Sequence, residues 1–136
     1  MKKICCLLLT ILLISCATNE EKINTLEGYW NIDEVILSDG TEREFPFSNH
    51  MDHFEIDGFK GVKNRVSPRY NGSFVTYGNP IYFQWEEKEG DLWLTFQEGD
   101  GSYTQKVKKA TKETLVLLHE NGTRYTYKRY ALNEEQ

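Results

Sequence analysis

Closely spaced turn signals constrain this chain more than any other feature of its sequence. Asn-Gly and Asp-Gly favour the type I′ turns of β-hairpins, because both central residues of that turn need a positive φ angle. No stretch between the signals sustains a long helical period, so the spacing predicts consecutive antiparallel hairpins. The signals lie at Asp39-Gly40, Asp57-Gly58, Asn71-Gly72, Gly78-Asn79-Pro80, Glu89-Gly90-Asp91, Gly99-Asp100-Gly101 and Asn121-Gly122.

The segments between these turns are rich in aromatic and β-branched residues, which favour strands. Several alternate with a period of two, as Leu92, Leu94 and Phe96 do. The sequence therefore predicts an all-β domain, an antiparallel meander of eight to ten short strands in an up-and-down barrel or a strongly curved sheet. The predicted strands are Gly28–Leu37, Thr41–Phe47, His53–Ile56, Phe59–Val66, Ser73–Tyr77, Ile81–Glu87, Leu92–Gln97, Ser102–Lys109, Thr114–His119 and Thr123–Ala131.

The first residues resemble the signal peptide of a bacterial lipoprotein. Lys2 and Lys3 precede an apolar run, 4–14, that is shorter than the about 20 residues needed to cross a bilayer. The run ends at Leu13-Ile14-Ser15-Cys16, which resembles a lipobox. The resemblance implies cleavage before Cys16 and attachment of lipid to its thiol, and two or three acyl chains suffice for stable anchoring.

Three divisions of the chain follow from this prediction. Residues 1–15 are the signal peptide that is removed, residues 16–25 are the lipidated Cys and a polar tether, and residues 26–136 are the domain. The expected location is the cell envelope, where the lipid would anchor the protein, most consistently in the outer membrane. The sequence does not distinguish the periplasmic face of that membrane from the cell surface. The membrane is then a partner through the N-terminal lipid.

The cysteine count and the charge exclude several classes of protein. Cys5 and Cys6 fall within the signal peptide, so a mature chain with a lipidated Cys16 would have no disulfide and no thiolate nucleophile. The net charge of −5 argues against nucleic acid as a partner. No Ser-His-Asp order, phosphate loop or paired-carboxylate signature is present, so we expect neither an enzyme nor a cofactor.

Both ends of the domain resemble the lipocalin-like domain of small bacterial lipoproteins. Gly28-Tyr29-Trp30 opens the first strand with a Gly-x-Trp motif, and Tyr125-x-Tyr127-Lys128-Arg129 ends the last. The resemblance implies that Trp30 plugs the closed end of a barrel and that Arg129 packs across it. It also implies a non-enzymatic protein that binds a small hydrophobic or amphipathic molecule.

An aromatic set could line such a ligand cavity, or its rings could fill the barrel themselves. An interaction module for an envelope protein, as an accessory subunit or an inhibitor, is therefore the alternative function. The candidate lining residues are Phe74, Phe83, Trp85, Phe96, Tyr103, Tyr125 and Tyr127.

Two polar clusters remain. His50, Asp52 and His53 carry side chains that suit zinc, but a strand would place the two histidines on opposite faces, and the sequence favours a polar loop over a metal site. Lys60, Lys63, Arg65 and Arg69 form a basic run. This run could hold an anionic partner, although a solvated strand edge is the favoured interpretation.

Overall fold

The computed structural model describes residues 18–44 and 50–130. The predicted signal peptide and Cys16 lie outside the described residues. In chain order the elements are α1 (Asn19–Leu26), β1 (Gly28–Ile36), β2 (Glu42–Glu44), β3 (Met51–Asp57), β4 (Lys60–Pro68), β5 (Phe74–Lys88), β6 (Asp91–Glu98), β7 (Gly101–Ala110), β8 (Thr114–His119) and β9 (Arg124–Arg129).

Antiparallel pairing of each strand with the next closes the sheet into a barrel. The order is β2-β1-β3-β4-β5-β6-β7-β8-β9, and β1 also pairs with β9 from Trp30↔Arg129 to Ile36↔Arg124. Eight strands form the closed barrel, while the short β2 pairs with the last part of β1. The predicted all-β barrel is confirmed.

The Gly78-Asn79-Pro80 segment does not end a strand, although the sequence predicts separate strands on its two sides. The structure has one strand there, β5, of 15 residues. The pairing with β4 shifts between Lys63↔Ile81 and Arg65↔Tyr77, so the three residues form an irregularity in a continuous strand. An extra segment of this kind bends a strand without breaking its ladder.

Residues 18–26 differ from the predicted polar tether, because residues 19–26 form the helix α1. Thr18 caps it: its side chain accepts a hydrogen bond from the Glu21 backbone, and the Glu21 side chain accepts one from the Thr18 backbone. Ile23 and Leu26, three residues apart on one face, are buried against the barrel. The helix is therefore part of the domain.

Consecutive hairpins place alternate turns at opposite ends of the barrel. One end, called the closed end below, has α1 and the β3–β4 and β5–β6 turns; Asn19 Nδ2 donates to the Gly90 carbonyl there. The other, called the open end, has the β4–β5, β6–β7 and β8–β9 turns. Among the described residues, no helix is long and apolar enough to span a membrane.

The core fills the barrel towards its closed end. A glycine makes part of this packing possible, because a Cβ atom on Gly61 would collide with the ring of Phe83. Phe83 itself lies 5.1 Å from Phe96 and 6.0 Å from Phe54, measured between ring centroids. The largest fully buried side chains are Trp30, Phe54, Phe83, Phe96, Leu26, Leu92, Leu94, Leu115 and Leu117.

Candidate functional site

The barrel interior changes from apolar to polar along its strands. On β4, Gly61 pairs with Phe83, but two and four residues later Lys63 pairs with Phe54 and Arg65 pairs with Asp52. Residues opposite each other in an antiparallel pair share a face, and every second residue along a strand returns to it. The half of the barrel towards the open end therefore contains charged side chains.

Two cavities lie in this polar half and share Asp52 and Arg65 as lining residues. We call the first, of about 290 Å³, the charged cavity. The second, of about 330 Å³, is called the aromatic cavity. The charged cavity is lined by Asp52, Lys63, Arg65, Tyr77, Gly78, Asn79, Ile81 and Glu98, and the aromatic cavity by Trp30, Ile32, Val35, His50, Asp52, Arg65, Tyr125 and Tyr127.

Lys63 is partly buried and points its amino group inwards. Its Nζ lies 4.8 Å from the centroid of the Phe96 ring and donates to the Tyr103 hydroxyl at 3.5 Å. Burial lowers the pKa of Lys63, against the opposing effect of the Asp52 and Glu98 carboxylates. The side chain is thus a desolvated amine at the wall of a cavity.

Two tyrosines of the same interior keep their protons well into alkaline pH. Burial, followed by the charges of Glu98 and Asp52, raises the pKa of Tyr103 to about 12. Burial raises the pKa of Tyr127 well above its ordinary value, and the charge of Asp52 and hydrogen bonding to it add to this effect. Both hydroxyl groups are therefore hydrogen-bond donors at neutral pH.

Arg129 and Trp30 meet at the closed end. Arg129 Cζ lies 4.2 Å from the centroid of the Trp30 ring. Its guanidinium donates to the carbonyls of Lys112 at 2.6 Å, of Glu27 at 2.9 Å and of Thr25. Trp30 Nε1 donates to the Leu26 carbonyl at 2.8 Å. Because Trp30 also lines the aromatic cavity, its indole is the floor of that cavity.

The backbone separates His53 from the other two candidate metal ligands, His50 and Asp52, which both line the aromatic cavity. Asp52 lines both cavities, whereas His53, the next residue on β3, stacks on the opposite face against Tyr29 with 4.1 Å between ring centroids. His50 precedes β3 and lies edge-on to Tyr77. Within residues 18–44 and 50–130, no group of three His, Cys, Asp or Glu side chains is arranged to hold a metal ion.

Five of the seven predicted lining residues divide between three places. Tyr125 and Tyr127 line the aromatic cavity, and Tyr103 contacts Lys63 beside the charged cavity. Phe83 and Phe96 belong to the filled core.

Trp85 packs against that core and donates from Nε1 to the Gly58 carbonyl at 2.7 Å, which places it at the closed end.

Phe74 lines neither the charged nor the aromatic cavity. Its ring stacks on that of Tyr29, with 4.2 Å between ring centroids. Tyr29 lies on the face of β1 opposite the buried Trp30. Tyr130 contacts the other side of this group edge-on, at 6.1 Å from Phe74. Phe74 therefore attaches the β4–β5 hairpin to the outer wall of the barrel.

By interpreting the basic run as a solvated edge, sequence reasoning missed that Lys63 is partly buried and that Lys63 and Arg65 line the charged cavity, although Arg65 itself is exposed. Apolar alternation predicts the wrong face for the barrel interior here. Val66 is only 3% exposed, but it lies on the outer face of β4, opposite the face that carries Arg65. Val66 pairs with the buried Met51. The available signal was that Gly61, Lys63 and Arg65 fall on alternate positions, and so share one face of β4.

Comparison with known proteins agrees with this architecture. The model of the lipocalin-like domain family matches residues 26–117. The crystal structure of a lipocalin-like protein from Bacteroides uniformis ATCC 8492 is similar, with a TM-score of 0.50 and 14% identity over 78% of this chain and 99% of that one. An uncharacterized protein from Bacteroides eggerthii DSM 20697 gives a TM-score of 0.49 and 15% identity over 77% and 99%. No curated protein matches the sequence.

Proposed function

Because this chain belongs to the lipocalin-like domain family, we propose that its barrel is a non-enzymatic binding site for one small amphipathic molecule. The observation that supports this most directly is the pair of cavities that share Asp52 and Arg65. Their volumes, about 290 and 330 Å³, together fall in the usual range of small-molecule sites.

The chemistry of the two cavities favours an amphipathic ligand over a purely apolar one. The aromatic cavity offers Trp30, Ile32 and Tyr125 to a hydrocarbon or ring. The charged cavity offers Lys63 and Arg65, and an apolar ligand would desolvate these groups without replacing their hydrogen bonds to water. A molecule with one polar end satisfies both cavities.

The lipid anchor belongs to the same proposal. Only Ala17 separates Cys16 from Thr18, the residue that caps α1 at the closed end. A lipid on Cys16 would therefore hold the closed end against the membrane, most consistently the outer membrane, and the open end would face the aqueous side. Ligand would then enter from that side.

Displacement of the fluorescent amphiphile anilinonaphthalene sulfonate by 1-octanol tests the binding site. We expect the folded protein to bind the dye and octanol to displace it. Ile32→Trp should abolish dye binding, because the larger side chain fills the aromatic cavity. Arg124→Trp, which adds the same ring at an exposed position of β9, should bind normally. Undiminished binding by a folded Ile32→Trp variant would contradict this proposal.

Membrane fractionation tests the anchor separately. We expect the wild-type protein in the membrane fraction and a Cys16→Ala variant outside it. Unchanged fractionation of the variant would count against lipid attachment at Cys16, whatever the dye experiment shows.

The second candidate is an interaction module for an envelope protein. It is favoured by aromatic side chains that project into solvent: Tyr70 is fully exposed in the β4–β5 hairpin, and Phe59 and Tyr82 are 71% and 62% exposed. Affinity purification from envelope extracts should then recover one partner in stoichiometric amount. Tyr70→Ser should lose this partner, whereas Ile32→Trp should retain it.

A further inference from the structure

The amino group of Lys63 is in an unusual position for a lysine in an acidic protein. Its neighbours are the ring of Phe96 and the hydroxyl of Tyr103. Among the described residues, no carboxylate oxygen lies within 4.0 Å of Nζ. Its positive charge therefore lacks a close counter-ion, although the side chain is partly buried.

Lys106 provides an internal comparison. Its Nζ also lies over an aromatic ring, 5.0 Å from the centroid of Trp93, but it forms an ion pair with Asp91 at 3.3 Å. Lys106 thus has a close carboxylate partner that Lys63 lacks. The two lysines share a cation–π contact and differ in the counter-ion, so a difference in their reactivity would report on that environment.

Desolvation, or a neighbouring cationic group, activates a lysine as a nucleophile because it favours the neutral amine. The groups around Lys63 act in both directions: Asp52 and Glu98 favour the charged amine, whereas burial and the positive charge of Arg65 favour the neutral one. Burial is the largest effect, so the pKa of Lys63 falls. More of its amine is neutral, and hence nucleophilic, than in an exposed lysine at the same pH.

We propose that Lys63 forms an imine with an aldehyde ligand bound in the two cavities. This inference rests on the proposed function, since the aldehyde is the polar end of the amphipathic molecule. Its carbonyl carbon would meet Lys63 Nζ in the charged cavity, while its hydrocarbon chain extends past Asp52 and Arg65 into the aromatic cavity.

The step is balanced without any further reactant. The neutral amine attacks the carbonyl carbon and forms a C–N bond, which gives a carbinolamine after proton transfer from nitrogen to oxygen. The hydroxyl group then leaves as water and the C=N double bond forms. The Tyr103 hydroxyl, 3.5 Å from Nζ, is placed to exchange the protons. One aldehyde and one amine thus give one imine and one water, with no oxidation or reduction.

Reductive trapping of octanal tests the proposal. The full folded domain is incubated at neutral pH with a stoichiometric amount of octanal and sodium cyanoborohydride, which reduces an imine to a stable secondary amine. We expect a singly alkylated protein, with the label mapped by peptide mass spectrometry to Lys63. Lys63→Arg should lose this species, and Lys106→Arg should retain it.

The pH profile adds a measurement that a merely structural lysine would not change. Labelling of Lys63 should begin at lower pH than labelling of an ordinary exposed lysine, because burial lowers the pKa of Lys63. The mapping on wild-type protein remains informative even if a Lys63 variant fails to fold. Label spread over exposed lysines, or a pH onset at Lys63 no lower than that of exposed lysines, would overturn the proposal.

A control with 1-octanol distinguishes failure of the imine proposal from failure of the proposed binding site. 1-Octanol has the same chain as octanal but cannot form an imine. Displacement of the dye by octanol with no label on Lys63 would overturn the imine and leave the binding site supported. Absence of both displacement and label would overturn both proposals.

Discussion

The closed and open halves of the barrel are built from the same strands and have opposite interiors. Towards the closed end, Phe83 packs against Phe54 and Phe96, and all three side chains are fully buried. Towards the open end, Lys63 and Arg65 line a cavity. The change takes place within two residues of β4, since Gly61 faces the core and Lys63 faces the cavity.

Stability and binding therefore depend on different parts of the same strands. Burial of apolar side chains is the main favourable contribution to folding, and it is concentrated at the closed end. The charged groups of the open half lose solvation and contribute little to stability unless a ligand satisfies them. Substitutions in the two halves should therefore have different consequences.

Phe83→Ala is expected to cause the largest loss of stability, because it removes a side chain from the filled half of the barrel. Loss of a buried phenyl ring costs about 3–5 kcal/mol of unfolding free energy, because the cavity that remains is only partly refilled. Urea denaturation followed by circular dichroism measures the loss. Tyr82→Ala, one residue away but 62% exposed, should change stability by less than about 0.5 kcal/mol. Equal losses would mean that the core does not sit where the structure places it.

Arg129→Met should have the next largest effect. The substitution keeps much of the side-chain volume but removes the donors to three carbonyls and the contact with Trp30. We expect a loss of about 1–2 kcal/mol, since three carbonyls, of which that of Thr25 is part-buried, lose a charged donor. Arg129→Lys should recover only part of it, because an ammonium group lacks the planar fork of a guanidinium. Full recovery by Lys would show that charge alone matters there.

Thr18→Ala tests whether α1 belongs energetically to the closed half. Removal of an N-cap hydroxyl costs about 1 kcal/mol when the helix contributes to the folded domain. Asn24→Ala, at an exposed position of the same helix, should not destabilise the protein. The urea midpoints of the two variants decide the matter, and an unchanged midpoint for Thr18→Ala would place the helix outside the cooperative unit.

Alkaline pH should weaken the open half selectively. The pKa of Tyr103 is about 12 in the folded protein, against an ordinary value of 10.0. Below pH 10 both states hold the proton; between pH 10 and about 12 the unfolded state loses it first, so stability falls as pH rises. Tyr103→Phe should flatten this part of the urea midpoint profile, and Tyr82→Phe should not. A profile unaffected by Tyr103→Phe would contradict the burial of its hydroxyl.

The strands were predictable because turn residues and alternation are local signals. The Gly-x-Trp motif and the carboxyl-terminal Arg likewise identified the family, which the match over residues 26–117 confirms. The helix α1 was missed since its sequence is mostly polar and its two buried residues, Ile23 and Leu26, are few. The Thr18-x-x-Glu21 capping box was the signal that could have revealed it.

The candidate site was harder to predict because its residues are polar ones in positions that a barrel usually fills with apolar ones. Lys63 and Arg65 face inwards, while Val66 is buried on the other face, where it pairs with Met51. That inversion depends on what covers the outer wall. A single sequence does not contain this information, since it arises from contacts between distant segments.

The contacts of Arg129 at the closed end also determine when the chain can complete its fold. Arg129 bonds to Glu27 and Thr25 across 102 and 104 residues of sequence, and β1 has β9 as its neighbour. Contacts between such distant segments form slowly, because a long loop must close before they add stability. Until β9 pairs with it, β1 therefore has one unpaired edge. That interval is when another chain could pair with β1, and a chaperone covering this edge would protect the protein.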